Sequence, residues 1–343
     1  MSSADVDVLV IGAGHAGLGV GARLKARGRE SVILDANARV GDAWRARWAS
    51  LRLFTPRFVN GLPGMRFPDG EDPFPNRDEV ADYQQRYAEA LGVPIRLSTH
   101  VRQLRHGADG FVASLEGDVI TARNVVIANG AHRTPKIPAF ASRLDPGVLQ
   151  LHSSEYSRAG DLPPGQVLVV GGRNSGAEIA MELAGTHDVA LTFDSGTSYA
   201  PARWRSTGWW RTAQFRSWLV RGAILPGPLP WPIKPPAGKW VEVDVRRAER
   251  EGALRLVPRA VDAPKDEVRF ADGSAMKPRI VVWATGFRID DTWIDVPSRP
   301  DGIRVGRHRR GPVPGLWIVR ANLLASLHWG ALDVAADLAR SGR

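Results

Sequence analysis

One pattern is written twice in this chain, and no other feature limits its fold as tightly. Residues 5–36 read DVDVLVIGAGHAGLGVGARLKARGRESVILDA: an apolar strand, a Gly-spaced turn, a helix of small residues, a turn at Gly28, and a second strand ending at Asp35. Residues 165–194, GQVLVVGGRNSGAEIAMELAGTHDVALTFD, repeat those parts in the same order. The spacing repeats too, since Asp35 follows Gly17 by 18 residues and Asp194 follows Gly176 by 18. Each stretch is a complete βαβ unit, so the pattern predicts an α/β chain with two dinucleotide-binding (Rossmann-like) domains.

The first turn, GAGHAG, has a physical reason for each glycine. Gly12 permits the tight turn, Gly14 lets the backbone approach a pyrophosphate, and Gly17 lets the helix pack on the strand. The helix N-terminus then faces the phosphates, and Asp35 stands where a carboxylate accepts hydrogen bonds from a ribose diol. The second turn keeps Gly171, Ser175 and Gly176 but has Arg173 at the middle position. If that turn keeps its shape, Arg173 blocks a nucleotide; if it opens, the guanidinium can pair with phosphate as a charge-assisted fork. Asp194 suits the 2'-hydroxyl of NADH and repels the 2'-phosphate of NADPH, while Arg203 and Arg205 downstream can offset that repulsion.

Two further apolar strands end in small-residue turns, NVVIANG at 124–130 and RIVVWATGF at 279–287. Each follows a meander pattern with a hairpin turn, at Gly117 in one and at Asp272 and Gly273 in the other. This order predicts one dinucleotide fold inserted in the other. The N-terminal part spans 1–155, the insert 156–282 and the C-terminal part 283–343, with linkers at 131–164 and near 283–295.

Composition removes several chemistries. There is no cysteine, so disulfides, thiolate nucleophiles and dithiol relays are excluded. The net charge of +10 raises nucleic acid as a partner, but the arginines are spread along the chain with no run longer than two, so none is expected. No histidine has a partner at metal spacing, His308 in GRHRRG included, so no metal is expected. The start lacks a signal-peptide pattern and no uncharged run approaches a membrane span, so the expected location is cytoplasmic. The stretch 199–240 holds six of the twelve tryptophans among Arg and Pro, with a helix-like piece at 214–220. It reads as a lid or apolar channel that can touch a membrane surface peripherally, or as packing over the second domain.

Taken in order, GAGHAG, GDAW at 41–44, SLRLFTP at 50–56, PFPNRDE at 73–79, HSSEY at 152–156, the second turn and WATGF at 283–287 resemble the class B flavin monooxygenases. That group includes flavin-containing monooxygenases, plant-type indole-pyruvate monooxygenases and bacterial flavoproteins named for potassium transport. The resemblance implies that the outer segments bind FAD, that the insert binds NADPH or NADH, and that a small organic substrate is oxygenated between them with O2 through a C4a-(hydro)peroxyflavin. It places Gly12, Gly14, Gly17, Asp35 and Trp44 against FAD, has Val101 hold the adenine through its backbone, and assigns Gly171, Arg173, Ser175, Gly176 and Asp194 to the nicotinamide cofactor. Thr55, Pro56, Asn129, Gly130 and Gly286 end elements that the family brings near the ring. Asn129 replaces a more frequent threonine, and its amide can donate there.

The chain departs from that family in three places. Its linker keeps His152 and Tyr156, but Gly147 and Phe140 are displaced from the expected spacing, and a structural role for His152 stands beside a functional one. Arg173 and Arg320 both stand where the family has glycine. The alternatives are an NAD(P)H oxidase or flavin reductase that transfers no oxygen, and a non-catalytic FAD-binding protein with a degenerate second site.

Overall fold

The computed structural model describes residues 5–131, 133–193, 243–297, 303, 305, 309–320, 334 and 336–338, with backbone alone at 197–199 and 239–241. Along the chain the elements that build the two main sheets begin with β1 (Val6–Ile11), α1 (His15–Lys25), β2 (Ser31–Leu34), a short α2 (Asp42–Arg45), α3 (Arg77–Leu91) and β3 (Ile95–Arg96). A meander follows as β4 (Gln103–Gly107), β5 (Gly110–Ser114) and β6 (Val119–Ile127). Then come β7 (Leu149–His152), β8 (Gln166–Val170), α4 (Asn174–Leu183), β9 (Asp188–Thr192), α5 (Val245–Arg250), β10 (Arg255–Val257) and β11 (Ile280–Trp283). The last two strands are β12 (Ile294–Asp295) and β13 (Leu316–Ile318).

Two compact units result. The first holds 1–46, 57–134 and 287–343, and the second holds 47–56 and 135–286. The borders therefore differ from the sequence expectation of 155/156 and 282/283. Residues 135–155 fall in the second unit because β7 pairs with β11 along Ile280↔Leu149 to Trp283↔His152, which makes the expected linker an edge strand. The segment 47–56 also belongs there, tied by the Ala49 amide to the Ser157 carbonyl at 2.8 Å.

In the first unit the strand order is β12-β4-β5-β6-β1-β2-β3, and β13 pairs with β6. On its edge away from β1, strand β6 serves two neighbours: residues 119–122 pair antiparallel with β5, and 125–127 pair parallel with β13. Strands β2, β1, β6 and β13 all run parallel, so their carboxyl ends form one crest. The core beneath joins Leu9, Leu104, Phe111, Val125, Ile127 and Ile318, and Leu9, Leu104, Val125 and Ile127 are fully enclosed. Burying one such aliphatic side chain is worth about 1.5–3 kcal/mol. Helix α3 begins at a full capping box, in which the Asn76 side chain accepts from the Asp78 and Glu79 amides while Glu79 accepts from the Asn76 amide.

The second unit has an all-parallel sheet, β10-β9-β8-β11-β7, whose central strands β8 and β11 are apolar on both faces, as a doubly covered sheet requires. Its core includes Leu168, Ala190, Val268, Phe270 and Trp283. Both expected hairpins are present, with Gly117 at φ 78° and Gly273 at φ 87°. The chain is thus built from two Rossmann-like folds, the second inserted in the first. Of the Trp-rich stretch 199–240, all but a few backbone positions lie outside the described residues, as do 321–330 and His308. Among the described residues no helix is long and apolar enough to cross a membrane.

Candidate functional site

The first turn is shaped by steric necessity. Gly12 has φ 111°, and a Cβ there would stand 2.4 Å from the Ala128 carbonyl oxygen. A Cβ on Gly17 would lie 1.8 Å from the Gly12 carbonyl oxygen. Neither distance can be accommodated, so both glycines are obligatory. Gly14 is different: a Cβ there meets nothing within 4 Å. Gly14 caps α1 with extended backbone at φ −78°, ψ −173°, without a side-chain cap, and the first N–H groups of the helix point past it. The protein thus leaves an open cradle above Gly14, and such a helix start favours an anion.

Asp35 does more than the sequence suggested. One carboxylate oxygen accepts the Ala13 amide at 2.6 Å, and the other accepts both the Asn37 amide and the Asn37 side chain at 2.8 Å. The acid therefore braces the glycine turn itself, with lone pairs remaining for a ribose. Asn37 was missed by sequence reasoning, because an Asn shortly after a strand is ordinary turn chemistry. Val101 is buried, yet its backbone has no hydrogen-bond partner among the described residues, although Thr99 and Arg102 on either side donate to Asp35 and Ser114. Unpaired backbone groups beside the β2 crest fit the edge of a purine. Trp44 is half-buried on α2, which starts at Gly41. A Cβ on Gly41 would lie 2.6 Å from the Ala81 carbonyl oxygen, so α2 packs closely on α3.

Past β6 the chain turns through Ala128, Asn129 and Gly130, the last at φ 76°. Asn129 Oδ1 accepts a hydrogen bond from Arg320 Nε at 3.2 Å. Arg320 follows β13 and lies 2.6 Å from Asp291 through Nη2, with side-chain exposures of 10% and 15%. Nη2 is enclosed without an aligned hydrogen bond, so this is an ionic contact. The resemblance flagged Arg320, while nothing in the sequence around Asp291 announced its partner.

The second turn has the same backbone. Gly171 has φ 115° and its Cβ would stand 2.4 Å from the Ala284 carbonyl oxygen; a Cβ on Gly176 would lie 1.7 Å from the Gly171 carbonyl oxygen. Arg173 occupies the cap position at φ −88°, ψ −174°, within a few degrees of Gly14. The turn has kept its shape, so the Arg173 Cβ stands at the position in the second turn that corresponds to the open one at Gly14 in the first. Arg173 is exposed and has no side-chain partner among the described residues. Ser175 lies half-buried in the first turn of α4. Thr192 Oγ1 accepts the Gly171 amide at 2.8 Å, a brace that sequence reasoning did not find. Asp194 lies outside the described residues.

The expected linker residues are buried. His152 is fully enclosed, donates through Nε2 to the Gly286 carbonyl at 3.0 Å, and receives Ser154 Oγ at Nδ1 at 2.8 Å. A carbonyl only accepts, so the proton sits on Nε2. Burial pushes its pKa below the ordinary histidine value, against the pull of the Gly286 bond. Tyr156 is buried as well, and its phenol is pushed up first by burial and then by the nearby Glu182 carboxylate. Thr55 is buried in the second unit, whereas Asn129 belongs to the first. Gly286, at φ 83°, uses its carbonyl to receive His152 and the Lys136 amide.

Comparison with known proteins agrees with this architecture. A family model described as pyridine nucleotide-disulphide oxidoreductase matches residues 9–203. An uncharacterized CzcO-like oxidoreductase of Geobacillus kaustophilus is 36% identical, over 92% of this chain and 90% of its own. The indole-3-pyruvate monooxygenase YUCCA1 of Oryza sativa subsp. japonica is 26% identical, over 96% of this chain and 90% of its own. Among solved structures, a flavin-containing monooxygenase from Stenotrophomonas maltophilia superposes with a TM-score of 0.78 at 25% identity, over 98% of both chains. The disulphide chemistry in the family's description has no counterpart here, since the chain has no cysteine. The chain belongs to the pyridine nucleotide-disulphide oxidoreductase family and, within it, to the class B flavin monooxygenases.

Proposed function

We propose that this protein is an FAD-dependent monooxygenase that oxidises NADPH or NADH and transfers one oxygen atom from O2 to a small organic substrate. The observation that carries the reading is the open cradle over Gly14, bounded by Asp35 and the unpaired Val101 backbone on one crest. That donor set fits the pyrophosphate, ribose and adenine of FAD better than a simple phosphate, because Gly14 and Asp35 follow β1 and β2, and Val101 follows β3, where Thr99 donates to the Asp35 carbonyl. Bound there, FAD supplies the hydride acceptance and oxygen activation that no amino-acid side chain provides.

The chain's own residues have a narrower task. Gly12, Gly14 and Gly17 aim the α1 N–H groups at the phosphates, and Asp35 holds the Ala13 amide in that turn. Among the described residues the Asn129 amide N–H donors meet no partner, since Arg320 engages the oxygen. In the second unit Gly171, Ser175 and Gly176 form the corresponding turn for the nicotinamide dinucleotide, with Arg173 projecting from its centre.

The experiment is anaerobic mixing of the purified yellow protein with NADPH or NADH while the flavin absorbance is followed. Bleaching by either nucleotide, followed on aeration by an oxygenated product from an amine, sulfide or 2-oxo acid panel, is the expected result. A protein that binds no flavin defeats the reading. Bleaching with stoichiometric hydrogen peroxide and no product from any panel member replaces it with an NAD(P)H oxidase.

A further inference from the structure

The crest of the first unit has a direction. Its carboxyl ends run in the order β2, β1, β6, β13. With pyrophosphate over the β1 turn and ribose at Asp35 after β2, the other half of a dinucleotide extends over β6 and β13. The residues waiting there are Asn129 and Arg320. Asn129 is close to the phosphate turn, for a Cβ on Gly12 would stand 3.0 Å from its backbone nitrogen, and Arg320 bonds the Asn129 side chain.

We propose that Arg320 sets the charge felt by the flavin ring, with Asp291 as its counterweight and Asn129 as the amide that it orients. This rests on the reading of the first unit as the FAD-binding one. Three observations carry it. Arg320 is nine-tenths buried, so its charge is weakly screened by water. Asp291 precedes β12, which lies beyond β4 and β5 on the side of β6 away from β1, so the ion pair turns its positive member toward Asn129. Arginine has only donors, so the Asn129 atom facing it is the oxygen, and the Asn129 Nδ2 donors are left for a ligand.

The chemistry follows from charge balance. A hydride brings two electrons and one proton, so the flavin that accepts it gains one negative charge unless water supplies a second proton. A guanidinium nearby favours that charged form; a carboxylate opposes it. Arg320 and Asp291 therefore act with opposite sign on the reduction of the flavin.

The test uses FAD-loaded protein and two readouts besides turnover, the flavin midpoint potential and the affinity for sulfite. The sulfite lone pair forms a bond to the ring and leaves one negative charge on it. Arg320→Gln is expected to weaken sulfite binding at least tenfold and to shift the reduced-to-oxidised ratio about tenfold toward oxidised, about 30 mV for two electrons. Asp291→Asn is expected to move both readouts the other way. Should Arg320→Gln fail to retain FAD, because it leaves Asp291 buried and unpaired, the neutral pair Arg320→Gln/Asp291→Asn replaces it and is still expected to bind sulfite more weakly than the native protein. Unchanged readouts, or shifts of the same sign in both single variants, overturn the inference while leaving FAD binding intact. A native protein that takes up no FAD overturns both it and the reading on which it rests.

Discussion

At the first turn Gly12 has φ 111° and the helix starts from φ −78°, ψ −173°; at the second Gly171 has φ 115° and the helix starts from φ −88°, ψ −174°. The parallel extends past the turns. Ala128 donates to Ile11 and Ala284 to Val170, each at 2.8 Å, and the next strand adds Val319 to Ile127 and Ser153 to Trp283. Asn129 thus corresponds to Thr285, and Arg320 to Ser154. What differs is where positive charge sits. The first fold has a glycine at the helix cap and a buried arginine on the crest; the second has an arginine at the cap and a neutral, fully buried histidine, His152, at the end of the edge strand β7. Backbone shape is set by the outer two glycines, so the middle position is free to vary without cost to the fold.

The largest effects should come from the outer glycines. Gly17→Ala and Gly176→Ala each place a Cβ within 2 Å of a backbone carbonyl oxygen, at 1.8 and 1.7 Å. Each is expected to destabilise its unit by about 3 kcal/mol or more, at the top of the usual overpacking range, visible as an early transition in thermal unfolding. A native-like melt for either would mean that the turn can open. Next comes Gly14→Arg, which copies the second turn into the first. Because a Cβ there meets no protein atom within 4 Å, the melt of the apoprotein should stay within about 2 °C of native. FAD retention should fall by about 100-fold or more, roughly 2.7 kcal/mol, as read by flavin titration. Full FAD affinity would show that the cradle is not a phosphate site.

Much of this was legible beforehand, and the reasons are local. A period of apolar residues, a glycine spacing and an acid 18 residues on describe a βαβ unit almost completely, since all its parts lie in one short stretch of chain. The paired small-residue turns after β6 and β11 could be seen for the same reason. The unit borders were drawn wrongly at β7, because its pairing to β11 joins residues about 130 apart and a four-residue edge strand carries little pattern. Asp291, Asn37 and Thr192 were invisible, being ordinary polar residues made important by partners distant in sequence or by a turn. Whether Arg173 opens its turn could not be decided from letters, because the answer lies in two backbone angles.

Those angles make Arg173→Gly a directional test. The turn has kept the shape of a phosphate cradle while a side chain projects from its centre, so obstruction is the expected state. Arg173→Gly should tighten NADPH and NADH about tenfold, near 1.4 kcal/mol, in stopped-flow reduction at several nucleotide concentrations. The gain should grow with ionic strength, because any attraction between the native guanidinium and phosphate is screened while the steric term is not. Weaker binding in Arg173→Gly, with a steeper loss at low salt, would instead make the arginine a clasp.

The smallest effect follows from what faces each cradle. Arg320 is paired with Asp291, whereas His152 is held neutral by burial, with Nε2 donating to Gly286. Its folded pKa is depressed, so below about pH 6.5 the unfolded chain takes up a proton that the folded one refuses. Stability is therefore full well above that value and falls as pH drops through it, by at most about 1 kcal/mol between roughly pH 6.5 and 5.5 if His152 alone is responsible. The second unit should show this, in urea titrations followed by limited proteolysis at 135–193 and 243–286, while His100 of the first unit, also held below the ordinary value by partial burial and by Arg102 and Arg133, adds a slope of the same sign there. His152→Gln keeps a donor for the Gly286 carbonyl and should flatten the slope. A slope at the second unit that stays equally steep in that variant would mean that His152 is not its source.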